Sequence, residues 1–155
     1  MKPIPLTAAE LREKFSYDPI TGVLTRRSDG KSDWRLSSEG YPVVANFAYV
    51  HRIVWKMQTG SDAIHRIDHR NQVRHDNRWD NLREATASQN RFNGGLDVNN
   101  TSGFRGVFFQ ANKWRAQITV DGRKRHLGYY ETREAASKAY LAAAQRFVGE
   151  FAAKP

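Results

Sequence analysis

Residues 114–130 constrain the fold more than any other stretch of this chain. Trp114, Ala116, Ile118 and Val120 alternate with Arg115, Gln117 and Thr119, so an extended segment would carry one apolar and one polar face. Asp121-Gly122 follows, a dipeptide that tolerates the positive φ of a tight hairpin, and Arg123 to Tyr130 then runs for another strand length. Phe104 to Phe109 supplies a third strand-length run before them. Thr132 is placed to cap a helix in which Ala136, Ala139, Tyr140, Ala143 and Phe147 recur at helical spacing, and Gly149 is placed to end it. The alanines allow close approach to a sheet. Trp114, Tyr140 and Phe147 are expected in the core. Residues 101–155 should therefore form a small three-stranded antiparallel sheet packed on one helix.

Upstream of this module, the Gly- and Asn-rich stretch from Asn93 to Asn100 predicts a linker, taken as residues 94–100. Residues 1–93 form the other expected domain. Thr7 with Glu10 three residues later predicts a capped helix to Phe15, and Asp18-Pro19-Ile20-Thr21-Gly22 predicts a turn before a strand at Val23 to Arg26. Tyr41 to Ala45 resumes an extended pattern, and Val50 to Met57 favours a short helix. Ile64 to His69 reads as a strand, followed by ten polar and charged residues, a length that in a compact domain often marks function. Leu82 to Ala85 is a brief second strand. Thr86-Ala87-Ser88-Gln89 opens a helix with Asn90 in its first turn. The fold class is α+β, and the first forty residues are given only a supporting role.

Charge narrows the partners. The chain has 155 residues, with 25 Lys and Arg against 16 Asp and Glu, a net +9 and a pI near 10.1. Residues 101–155 carry ten basic and four acidic side chains, and so +6, against +3 for residues 1–100. Such a surplus favours a polyanionic partner through phosphate attraction and counterion release. Cysteine is absent, which excludes disulfides and Cys-based zinc sites. No apolar run approaches the roughly 18 residues of a membrane span. Met1-Lys2-Pro3-Ile4-Pro5 lacks a signal-peptide core, so a soluble cytoplasmic protein is expected.

Asp68 and Asn90 can offer oxygen ligands to a hard divalent cation, and His69 is a nitrogen base beside the first of them. On a basic chain these are the parts needed to hydrolyse a phosphodiester. HRIVW at His51–Trp55, IDH at Ile67–His69, DNRWDNLREAT at Asp76–Thr86 and SQN at Ser88–Asn90 carry a resemblance. They resemble phage and intron-associated HNH endonucleases of the His-Me finger type, over about residues 41–93. SGFRGV, KWRAQI, HLGYYET and EAASKAY make residues 101–151 similar to the ethylene-response-factor type of DNA-binding domain.

The first resemblance implies a ββα-metal core at about 64–93. It implies His69 as general base, Asn81 as the residue that pins the loop and helps orient that base, and Asp68 and Asn90 as holders of one divalent metal. Mg²⁺ is the expected ion, with Mn²⁺ as its alternative. The second implies that the sheet enters duplex DNA, with Arg105, Arg115, Gln117, Thr119, Lys124 and His126 on the binding face; Phe108 stands at another matching position. His51 and Arg52 are candidates for phosphate contact, while His65 and His75 are read as surface residues. The expectation is a site-directed nicking endonuclease of the homing type encoded by a phage, acting on double-stranded DNA in the host cytosol. Deleting residues 101–155 should leave weak, less selective cutting. A non-catalytic DNA-binding regulator on the same scaffold is the alternative, and structured RNA is a third partner that charge alone permits. Monomer and dimer both stay open.

Overall fold

The computed structural model describes residues 2–45 and 47–152, so the last three residues of the expected 101–155 module lie outside it. The chain divides into two compact units, Met1–Thr86 and Ala87–Pro155. The division falls ahead of residues 94–100, because Phe92 is buried among Ile118, Val120, Tyr140 and Ala144 of the second unit.

In the first unit, helix α1 (Ala8–Lys14) begins with the expected capping box: Thr7 Oγ1 accepts from Glu10 N, and the Glu10 carboxylate accepts from Thr7 N. Strands β1 (Phe15–Tyr17) and β2 (Leu24–Arg26) pair antiparallel across a turn that Asp18 organises by accepting from Ile20 N and Gly22 N. Strands β3 (Arg35–Leu36), β4 (Pro42–Val44) and β5 (Ala48–Tyr49) make a small antiparallel sheet in that order, and helix α2 (Val50–Thr59) follows directly. Leu11, Leu24, Val50, Ile53 and Val54 form the fully buried centre of this unit. Strands β6 (Arg66–His69) and β7 (Leu82–Ala85) close it as an antiparallel pair. The first of these is shorter than expected. Ile64 is 87% exposed and contributes nothing to the core, so pairing begins only at Arg66.

The second unit opens with helix α3 (Ala87–Asn93) and continues into strands β8 (Val107–Gln110), β9 (Lys113–Val120) and β10 (Arg123–Tyr130). These form one antiparallel sheet, ordered β10-β9-β8, with a bulge between His126 and Gly128. Helix α4 (Arg133–Val148) covers one face, starting at the Thr132 cap and stopping at Gly149. Val107, Ala116, Ile118 and Val120 point into that interface, as the alternation requires. Strand β8 starts three residues later than Phe104, since Phe104 O is held in a turn by Asn100 Nδ2 and Ser102 Oγ. Phe147 is a correction to the expected core. It stands 37% exposed at the end of α4, with the Arg125 guanidinium 4.8 Å over its ring. Among the described residues no helix is long and apolar enough to cross a membrane.

Candidate active site and nucleic-acid interface

Antiparallel register places Asp68 opposite Arg83 and His69 opposite Leu82, and successive side chains leave a strand on opposite faces. Asp68 and Arg83 are both buried, and Arg83 reaches Asp68 Oδ2 through Nε and Nη2, each at 2.9 Å. The pair fixes the carboxylate's orientation. Breaking it would leave a buried charge, at a cost of about 3–5 kcal/mol.

His69 ends β6 and the long polar loop begins there. Asn81 organises that loop from its far end. Its Oδ1 accepts from Asn71 N at 3.0 Å, its Nδ2 donates to Asp76 O at 2.7 Å, and its own carbonyl accepts from Arg70 N. Asp76 adds bonds from Asn71 Nδ2 and Arg78 Nε, and Arg78 holds its carboxyl down at about 2. Inside the loop, Asn77 Oδ1 lies 3.2 Å from His69 Nε2. With that oxygen accepting, a neutral imidazole bears its proton on Nε2 and its basic lone pair on Nδ1. Burial lowers the pKa of His69 below its ordinary value, against smaller opposite pulls from Asn77 and Asp68. The neutral, proton-accepting form is therefore favoured at neutral pH.

Two aromatic neighbours confine the ring. Tyr41 lies 5.8 Å from it between centroids, and His51 meets it edge to face at 5.3 Å. His51 is stacked on Tyr49 and buried, its pKa pushed down to about 3 by desolvation, and its Nδ1 has no hydrogen-bond partner. The structure thus seats His51 against His69, inside the unit. The Arg52 guanidinium donates to Lys2 O and lies 3.8 Å from Asp62. His65 and His75 are exposed, as expected.

The N-terminal hairpin braces the loop. Tyr17 Oη donates to Asn77 O at 2.7 Å, and Trp79 N donates to Pro19 O at 3.0 Å. Gly22, at φ +77°, comes so close that a Cβ there would lie 2.5 Å from Arg78 N. Sequence reasoning missed Asn77, Arg83 and this brace. Asn77 and Arg83 stood inside the quoted DNRWDNLREAT segment, and the cross-strand partner of Asp68 follows once the hairpin register is known. The brace joins residues about sixty positions apart and has no local signal.

Of the expected ligands, Asp68 lies in the first unit and Asn90 on α3 of the second. A carboxylate with an amide oxygen is a hard, oxygen-only donor set, suited to an ion that keeps several waters, as Mg²⁺ does. Among the described residues no three His, Asp or Glu side chains group as a metal cage. Each residue taken by itself offers the kind of hard oxygen donor that Mg²⁺ takes.

The uncovered face of the sheet is the second candidate surface. Cross-strand partners point the same way, so the register gathers Phe108, Arg115 and Tyr129 in one row, Gln117 and His126 in the next, and Thr119 and Lys124 in a third. Five of the six expected DNA-facing residues thus share one face. Gln110 Oε1, at 3.1 Å, and Gln117 Oε1 hold the Arg115 guanidinium, whose Nε is buried without a partner. The strands contain no Asp or Glu. Arg105 precedes the strands and is otherwise engaged: it bonds the carbonyls of Arg91, Gly94 and Gly95. Lys113 and Tyr129 were not anticipated. The register adds both, Lys113 through its pairing with Gln110.

Residues 48–92 match the family described as HNH endonuclease. A protein of Acanthamoeba polyphaga mimivirus described as an uncharacterized HNH endonuclease is 30% identical over 129 residues, which is 79% of this chain and 66% of that protein. The chain thus spans just under two thirds of that relative's length. No solved structure matches. Residues 48–92 are thus similar to an HNH endonuclease domain. The matched HNH segment runs from β5 through α2, the β6–β7 pair and its loop to Phe92 on α3, and so contains His51, Asp68, His69, Asn81 and Asn90. The three-stranded sheet lies outside it.

Proposed function

We propose that the chain is a metal-dependent DNA endonuclease that nicks duplex DNA at a site chosen by its C-terminal sheet, in the manner of a homing enzyme. The observation that carries this reading is His69, an imidazole kept neutral by burial and oriented by Asn77, next to a buried carboxylate. His69 takes the proton from an attacking water through Nδ1. The water oxygen bonds to phosphorus and the P–O3′ bond breaks; O3′ takes a proton from solvent water as His69 releases its own to solvent, so the products are a 3′ hydroxyl and a 5′ phosphate. Asp68 and Asn90 are the residues to hold one divalent ion, Mg²⁺ or Mn²⁺. When bound, that ion offsets charge at the scissile phosphate and on the departing oxygen. Asn81 keeps the loop, and with it Asn77, in register with the base. One such centre per chain cuts one strand per event.

The sheet supports the targeting half of the proposal. Arg115, Gln117, Thr119, Lys124 and His126 present donors and positive charge on one face, flanked by half-exposed Phe108 and Tyr129, with Glu131 at its margin paired to Lys113. Such a face suits phosphates and base edges of double-stranded DNA. The similarity to ethylene-response-factor domains points the same way.

One observation favours the non-catalytic reading. Asp68 is engaged by Arg83 as a buried ion pair, a common structural role for a carboxylate. Plasmid incubation with Mg²⁺ and with EDTA separates the two. Metal-dependent nicking that is lost in His69→Ala supports the enzyme; a normal gel shift with no cleavage under either condition supports a regulator.

A further inference from the structure

Helix α3 has seven residues, too few to persist on its own, since isolated helices shorter than about 12–15 residues are marginal in water. Its last carbonyls also need partners from outside the helix. Arg105 serves one of them and also holds the two residues that follow the helix. Nη1 donates to Arg91 O at 2.8 Å, and Nη2 donates to Gly94 O and Gly95 O. A cation is thus placed at the negative end of the helix, where it is favoured. Arg105 itself is aimed by a rigid frame. The Asn100–Ser102–Phe104 turn precedes it, and Gly106 follows at φ +66°, where a Cβ would lie 2.4 Å from both Gln117 O and the Tyr140 ring. Phe92 is the other anchor, buried against Ile118, Val120, Tyr140 and Ala144. Both anchors line a cleft of about 400 Å³ that also borders Gly94, Leu96, Phe104 and Tyr140.

We infer that Arg105 is a positioning residue for the cleavage reaction and not a reader of DNA. It holds the helix that carries Asn90 as part of the sheet's own unit, so the second oxygen ligand is placed by the DNA-binding module. This inference rests on the nuclease reading for its catalytic consequence, while the clamp itself stands on the geometry of the second unit. Residues 101–155 are then not a detachable targeting module. Their deletion removes the support of α3, and cleavage is lost outright, in place of the residual cutting that a simple linker would allow.

The test uses the full chain with Arg105→Ala and Arg105→Lys. Hydrogen exchange at the amides of residues 88–95 should accelerate in Arg105→Ala while those of β9 and β10 keep their protection. Nicking at saturating DNA should fall by about tenfold or more, with duplex affinity held and the Mg²⁺ concentration for half-maximal rate raised. Arg105→Lys, which keeps the charge and some donors, should recover part of the rate. Unchanged exchange at residues 88–95 overturns the clamp. A fall in DNA affinity that accounts for the whole loss of nicking, at unchanged half-maximal Mg²⁺, overturns the positioning role and returns Arg105 to the binding face. Should Arg105→Ala fail to fold, Arg105→Lys decides on the same readouts. If the unaltered chain does not nick, the nuclease reading fails by itself, and the exchange data still decide the clamp.

Discussion

Asn81 commits both ends of its carboxamide to the loop after His69, Asn77 holds the imidazole, and Tyr17 holds Asn77 from the N-terminal hairpin. Across the outer face of β8–β10 the pattern is the reverse. Lys124 and His126 are exposed, and Phe108 and Tyr129 stand about half in solvent. The first region suits chemistry, which gains from groups that need no reorganisation when charge moves. The second suits a polyanion, whose phosphates can be met by mobile cationic chains at little cost in geometry. On the proposed function, reactivity is built into a braced loop and recognition is spread over an open sheet.

Changes in the braced loop should therefore cost much in rate or stability, and changes on the open face little. The largest effect is expected from His69→Ala, which should slow nicking by about a thousandfold, or about 4 kcal/mol, with duplex affinity unchanged in a gel shift. Because burial lowers the pKa of His69, the acid limb of the unaltered chain's pH–rate profile should fall below pH 6.5. A limb above that value would contradict the neutral-base assignment.

Asn81→Ala comes next. It strands the Asn71 N–H and the Asp76 carbonyl and should lower stability by about 2–3 kcal/mol in urea titrations. An effect below about 0.5 kcal/mol would mean that the loop is not organised from this residue.

His51 gives a pH signature of similar size. The folded state holds its ring neutral with a pKa near 3, while the unfolded chain protonates it below about 6.5. Its stabilising contribution is complete above pH 6.5 and is lost as pH falls toward 3. By linkage the loss is about 2 kcal/mol between pH 6.5 and pH 5, and His51→Phe should remove that slope.

The smallest effect belongs to the open face. Lys124→Ala should weaken duplex binding by only a few-fold and lower the slope of log affinity against log salt by about one, leaving the rate at saturation unchanged. A large loss of rate at saturating DNA would break the contrast between the two regions.

What the sequence made legible was mostly local. The Thr7–Glu10 capping box, the Asp121-Gly122 hairpin and the alternation from Trp114 to Val120 each depend on neighbours a few residues apart, and all three appear as expected. The β6–β7 pair was legible through its motif. Arg105 was not: its place in the motif suggested a groove contact, yet its partners are carbonyls ten to fourteen residues back that only the folded turn brings within reach. Phe147 recurs at the helical spacing of the core, but what meets its ring is the Arg125 guanidinium of β10, and it stays partly exposed. The bracing of the loop by residues 17–22 depends on a tertiary approach that no periodicity encodes.

Gly22 carries no reactive group and no charge, yet the backbone of Asn77 and Arg78 runs against the space where its side chain would be. An alanine there would push on the peptide whose neighbouring amide steadies the imidazole, some fifty positions further along the chain. In a mutational screen scored by DNA cutting, that substitution would look like a hit on the chemistry itself, although the damage would be mechanical.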